Sequence, residues 1–167
     1  MIRGHIAIIL LFAAPAFADD DWLYAPMVDA CSARADQAGG PQSCIGEAAA
    51  ACMQGEPDGE TTVGMMFCLL DERDAWDAIL NDEYQQTRDF ARAMDAEDQE
   101  LFPEYAVRAE QVLEAQRAWI TFRDANCTME YGVWGAGSMR QIAGADCHLQ
   151  MTADRALALR AYRDIIR

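Results

Sequence analysis

Histidine is nearly absent from this chain. Only His5 and His148 occur in 167 residues, and His5 lies in a segment expected to be removed. A Ser-His-Asp or Cys-His arrangement needs a histidine base. His148 is the one left, and it adjoins Cys147, an expected half-cystine whose sulfur would be no nucleophile. The sequence has no G-x-S-x-G, C-x-x-C, C-x-x-C-H or E-x-x-H. Those absences argue against serine and cysteine hydrolases, zinc sites, c-type haem and di-iron bundles. No catalytic residue, metal or cofactor is therefore expected, and the chain does not read as an enzyme. Basic residues are also scarce, 13 against 28 acidic, for a net charge of -15. Nucleic acid and anionic bilayers repel such a surface, whereas a basic partner is drawn to it. No internal repeat, low-complexity tract, long linker or alternating β pattern is present.

The first residues have the form of an export signal. Arg3 precedes the apolar run Ile6–Ala14, and Ala16-Phe17-Ala18 stands before Asp19-Asp20-Asp21. That is the pattern of a signal peptide, residues 1–18, cleaved after Ala18. The run is too short to span a bilayer, and no later run is long enough for membrane insertion. The first cysteine is Cys31, so a lipid anchor is not expected. Loss of Arg3 would take the charge from -15 to -16 and leave 167 − 18 = 149 residues, enough for one cored domain. The expected location is periplasmic or secreted.

Cys31, Cys44, Cys52, Cys68, Cys127 and Cys147 are even in number and bound for an oxidising compartment, which predicts three disulfides. Pairing neighbours (Cys31–Cys44, Cys52–Cys68, Cys127–Cys147) closes short loops, each contributing about 3 kcal/mol in the chain-entropy view. A Cys68–Cys127 bridge across a helical hairpin is the rival, and sequence does not choose between them.

Periodicity predicts an all-α, disulfide-stapled bundle built on a long antiparallel helical hairpin. A cysteine-rich helical segment, 19–60, would pack with a helical domain, 61–167, as one compact unit. Two short helices, about 22–35 and 42–53, flank Gly39-Gly40-Pro41. The Gly55–Gly59 turn leads into a long helix, about 62–94, capped by Thr61 or Thr62. Its apolar stripe is Met66, Leu69, Leu70, Trp76, Ile79, Leu80, Tyr84, Phe90, Ala91 and Met94. Asp95–Glu100 makes the turn, and it lacks calcium-loop spacing. Pro103 suits the first turn of the next helix, expected to reach about Met129 with a stripe through Tyr105, Val112, Trp119, Ile120, Phe122 and Ala125. Tyr131–Ser138 reads as a Gly-rich loop. Thr152 would cap a final helix to Ile166 with Ala156, Leu159, Tyr162 and Ile166 buried.

Asp71, Glu72, Asp74 and Asp77 read as a solvated face, and the dispersed methionines as core filler. Asn81, Tyr84, Gln116, Trp119, Arg123, Asp124 and Arg155 form an expected structural polar set. In a hairpin turning near residue 98, Asn81 falls opposite Gln116 and Arg123 opposite Asp71–Glu72. This predicts a cross-helix hydrogen bond and an ion pair.

The same residues carry a family likeness. Cys68-Leu69-Leu70, Trp76-Asp77, Leu80-Asn81 and Tyr84 resemble a first-helix signature. The run Ala115-Gln116-Arg117-Ala118-Trp119-Ile120-Thr121-Phe122-Arg123-Asp124-Ala125-Asn126-Cys127 is similar to an A-Q-x-x-W-x-x-(F/Y)-R-D-x-x-C motif. Gly137-Ser138, Cys147 and Thr152-x-x-Arg155 complete a pattern, about 61–162, that resembles the LprI-like lysozyme-inhibitor domain of small secreted bacterial proteins. The resemblance implies binding to a lysozyme rather than catalysis, and the acidic charge would steer a basic lysozyme. Tyr131, Trp134, Ser138 and Arg140 are the candidate partner-binding loop, since aromatic and arginine side chains anchor interfaces. The plainer expectation is a loop that packs Trp134 on the bundle. An envelope structural or stress-related binding module without lysozyme inhibition is the alternative function. Oligomeric state is not legible.

Overall fold

The computed structural model describes residues 22–34 and 43–165. The signal-peptide expectation, Gly39-Gly40-Pro41 and Ile166 lie outside them. Among the described residues there are five α-helices and no strand: α1 (Ala25–Arg34), α2 (Glu47–Gly55), α3 (Thr62–Asp98), α4 (Arg108–Val133) and α5 (Met139–Ile165).

Helix α3 is the spine. Thr61 accepts from the Gly64 amide at 3.0 Å and so caps its start. Gly64 is required there, because a Cβ would strike the Asp58 backbone where the preceding turn folds back. The buried side chains of α3 include Leu69, Glu72, Trp76, Leu80, Glu83, Thr87 and Ala91, one seam at three- and four-residue steps. Trp76 is 0 % exposed.

Helices α3 and α5 run parallel. Met66 and Leu70 share a cavity wall with Gln141, Gly144, Ala145 and His148 at one end. At the other, Thr87 donates to the Leu159 carbonyl at 3.2 Å. Helix α4 runs antiparallel to both. Asp95 meets Arg108 at the α3–α4 turn, and Gln116 meets Arg155 across α4 and α5. The expected antiparallel hairpin is present, but α5 rather than α4 fills the α3 seam, with Leu149, Ala153 and Ala156 fully buried. The short helices α1 and α2 pack at the same seam, α2 through Glu72 and α1 through the Ser32–Arg160 contact to α5.

The disulfides are Cys31–Cys44, Cys52–Cys68 and Cys127–Cys147. Cys68 is therefore bonded to Cys52, and the Cys68–Cys127 alternative is excluded. The first joins α1 to the turn before α2, the second fixes α2 to the spine, and the third joins α4 to α5.

Several boundaries differ from expectation, and α3 itself runs to Asp98, into the expected Asp95–Glu100 turn. Pro103 opens a 3-10 turn, Pro103–Tyr105, and α4 begins later, at Arg108. Helix α4 runs on to Val133, and α5 starts at Met139 rather than near Thr152. Thr152 is a buried mid-helix residue, not a cap. Gly144, Cys147 and His148 lie in α5. A Cβ on Gly144 would press on Tyr131 at 3.2 Å, so glycine here serves close helix packing.

Candidate functional site

The α4–α5 tip is the best-formed candidate. The expected loop shrinks to a tight connection of five residues, 134–138, between two helices. Gly135 takes φ +54, the left-handed conformation glycine tolerates best, and its amide bonds the Gly132 carbonyl at 3.0 Å. The Gly137 amide bonds the Trp134 carbonyl at 2.9 Å. Tyr131 sits on the last turn of α4. The Arg140 guanidinium lies 5.4 Å from its ring centroid and donates to the Gly135 carbonyl at 3.3 Å. Ser138 is exposed just before α5. Trp134 is 47 % exposed, with Val133 and Met139 exposed beside it. Below the tip, Cys127–Cys147 joins the two helices. The tip is thus a short, cross-braced apolar knob.

The polar set divides in two. Arg155 donates to Gln116 at 2.9 Å and lies 5.7 Å from the Trp119 ring centroid, with Arg123 at 5.0 Å from the same ring. Arg123 pairs with Asp124 at 2.9 Å, not with Asp71 or Glu72. Gln116, Trp119, Arg123, Asp124 and Arg155 therefore form one α4–α5 cluster. Asn81 and Tyr84 stand apart on α3. Asn81 is exposed and donates to Asp77 at 3.0 Å, so the expected Asn81–Gln116 bond is corrected. Tyr84 packs on the core beside the Arg88 guanidinium, 5.7 Å from its ring. Both mispredicted pairs have one cause. The hairpin estimate placed α4 against the α3 seam, and α5 occupies it.

Two carboxylates with structural work were missed. Glu72, expected on a solvated face, is 1 % exposed. Its oxygens accept from the Gly46 amide at 2.7 Å, the Ala49 amide at 2.6 Å and the Trp76 indole at 3.3 Å. It closes the N-terminus of α2 from another helix. Glu83 is 4 % exposed and lies between Arg160, at 2.7 Å, and Arg163. Arg163 also donates to the Glu83 carbonyl and to Thr87, each at 2.9 Å. Arg160 reaches the Ser32 carbonyl and hydroxyl at 2.7 and 2.8 Å, tying α5 to α1. The available signal was position, since both glutamates stand on the stripe of Leu69, Trp76 and Leu80.

Asp95 does for α4 what Glu72 does for α2. It accepts from the Arg108 and Ala109 amides at 3.0 and 2.9 Å, and Val107, the N-cap residue, offers no side-chain cap. Burial works to raise the Asp95 carboxyl, but the bonds from Ala109 and Arg108 outweigh it and hold the group below the ordinary carboxylate value. A depressed carboxylate stabilises the fold above its unfolded pKa, and that contribution disappears as pH falls through the folded one. Amide exchange at Arg108 and Ala109 should thus accelerate selectively in acid below the ordinary aspartate range. In Asp95→Ala the same amides should exchange fast at neutral pH, with a stability loss of about 1 kcal/mol. Unchanged protection at both amides in that variant would contradict the assignment.

A cavity of about 390 Å³ lies beneath the tip, walled by Met66, Leu70, Cys127, Tyr131, Gly144 and His148. Burial and then the Arg123 charge hold His148 below the ordinary histidine value. The group is a neutral wall at pH 7. Among the described residues no three His, Cys, Asp or Glu side chains gather as a metal site would require, and no helix is long and apolar enough to cross a membrane.

Comparison with known proteins places this scaffold. The chain is 29 % identical over 132 residues to an uncharacterised 17.7 kDa protein encoded in the puhA 5′ region of Rhodobacter capsulatus, covering 78 % of this chain and 81 % of that one. It is 32 % identical over 116 residues to an uncharacterised protein of Rhizobium meliloti (strain 1021), covering 68 % and 84 %. No solved structure matches. The family model for lysozyme inhibitor LprI matches residues 52–159, from the second half of α2 through most of α5, and the chain belongs to that family.

Proposed function

We propose that the protein acts by binding, as an inhibitor of a basic lysozyme in the cell envelope or outside the cell. The family match over residues 52–159 carries the reading, since it spans α3, α4 and most of α5, the frame that presents the tip. Three disulfides suit an oxidising compartment, consistent with the signal-peptide pattern at the N-terminus. The acidic surface would speed encounter with a cationic enzyme, and the braced knob of Tyr131, Trp134 and Met139 offers an anchor of low ordering cost. Inhibition needs no catalytic group on this chain, only a rigid projection that fills the partner's cleft.

The test is a turbidity assay of lysozyme acting on bacterial cell walls, with purified mature protein at increasing salt. Inhibition should weaken as salt screens the steering charge. Trp134→Ala should weaken it about tenfold or more, the loss of one interface anchor, with circular dichroism unchanged. Full lysis at micromolar protein in low salt would remove the reading. Intact inhibition by the Trp134 variant would keep inhibition but move it off the tip.

A further inference from the structure

The C-terminal half of helix α4, from Ala118 to Met129, is uncharged on the side turned away from the bundle. Only Val112, Gln116 and Cys127 of its 26 residues are buried. On the opposite side Ala118, Thr121, Phe122, Ala125, Thr128 and Met129 are all exposed, Phe122 by 61 % and Met129 by 56 %. None is charged, in a chain where a quarter of residues are. Glu114 lies on the same side one turn before Ala118, and Arg117 and Asp124 border the strip between Ala118 and Met129.

The spacing of the strip is that of a coiled-coil seam. Ala118, Phe122, Ala125 and Met129 alternate by four, three and four residues, small and large in turn. In an antiparallel pair of identical helices, each a-type position faces a d-type position of the other copy. Laid antiparallel about a two-fold axis between positions 123 and 124, Phe122 of one copy meets Ala125 of the other, and Met129 meets Ala118. Every layer then sets one large side chain against one small one, and the two-fold repeats each layer. The seam from 118 to 129 spans roughly 17 Å at helical rise.

We infer that the outward face of α4 is a self-association surface, pairing two copies of this chain antiparallel through Ala118, Phe122, Ala125 and Met129. Charge selects this occupant. A cationic partner would be met by carboxylates, which the strip lacks. A second copy of this acidic chain meets no like charge between Ala118 and Met129, and there each large side chain finds a small one. The inference does not rest on lysozyme binding, because it uses none of the tip residues.

Sedimentation equilibrium of the mature protein at hundreds of micromolar tests it. The wild-type chain should give the dimer mass. Phe122→Glu alone and Ala125→Arg alone should each give the monomer mass, with far-ultraviolet circular dichroism unchanged, because both sites are exposed. Mixed in equal amounts, the two variants should recover a dimer, since the antiparallel register sets the new glutamate of one chain against the new arginine of the other. A wild-type monomer at all concentrations would overturn the proposal. So would dimeric single variants, or a mixture that stays monomeric.

Discussion

Glu83→Ala is expected to lower unfolding stability by about 3–5 kcal/mol, a large part of what a domain of this size holds. Glu83 is 4 % exposed and Arg163 is 6 % exposed, and the two meet through Arg163 Nη2 and Glu83 Oε2. Removing the carboxylate leaves a guanidinium in the core with only neutral acceptors, the Glu83 carbonyl, Thr87 and Gln86. Arg160 is less exposed to this loss. It is nearer to water and keeps Ser32 as a partner. The cost thus falls mainly on Arg163. Removing both charges makes a different prediction. Glu83→Leu with Arg163→Met should recover most of the loss, because an apolar pair of similar volume needs no charge compensation. Urea unfolding followed by circular dichroism measures both. A loss under about 1 kcal/mol for Glu83→Ala would show that the guanidinium finds water, as surface pairs do.

Glu72→Ala should cost about 3 kcal/mol or more, and the damage should be local. The carboxylate accepts three N–H groups, and alanine leaves the Gly46 and Ala49 amides and the Trp76 indole without it. Trp76 is wholly enclosed, so its indole cannot turn to water. The Cys52–Cys68 bridge would still tether α2 to α3. Hydrogen exchange should therefore rise most in 46–55, ahead of any change in α4 or α5. Glu72→Gln is the sharper variant. It keeps the size but turns an NH2 toward one backbone amide, and it should recover no more than half of the stability. Uniform exchange across the chain in Glu72→Ala would mean that α2 is not an independent unit.

The helical content and the spine were legible because their signals are local. Thr61 stands before a long run free of proline, and Leu69, Trp76, Leu80 and Ala91 mark one face. The pairing of neighbouring cysteines was legible only as one of two schemes. What sequence hid is tertiary. Helix α4 is capped by Asp95, thirteen residues upstream of Arg108, so no local cap marks its start. The stripe expected on α4 included Ile120, Phe122 and Ala125, yet all three are exposed; Val112 of that stripe is buried, and Gln116 faces inward beside it. A helix apolar on two sides has no single hydrophobic direction, so periodicity cannot say which side is buried. Tyr162 was expected in the core of α5, but Arg163 is there, because Glu83 and Thr87 supply its partners. The candidate loop was found by composition, and its compactness was not, since Gly135 and Gly137 suggested length rather than a tight reversal.

The cross-links and the buried charges keep different clocks. Each disulfide joins cysteines 13, 16 or 20 positions apart, so a chain delivered N-terminus first can close each one soon after its second thiol appears. Glu83 must wait for Arg160 and Arg163, 77 and 80 positions later, and Ser32 waits 128. Until the last helix arrives, the spine holds a carboxylate with no counter-ion from that helix and cannot bury its seam. The late helix is therefore a latch, and a chain cut short before residue 160 would hold oxidised sulfurs without a finished core.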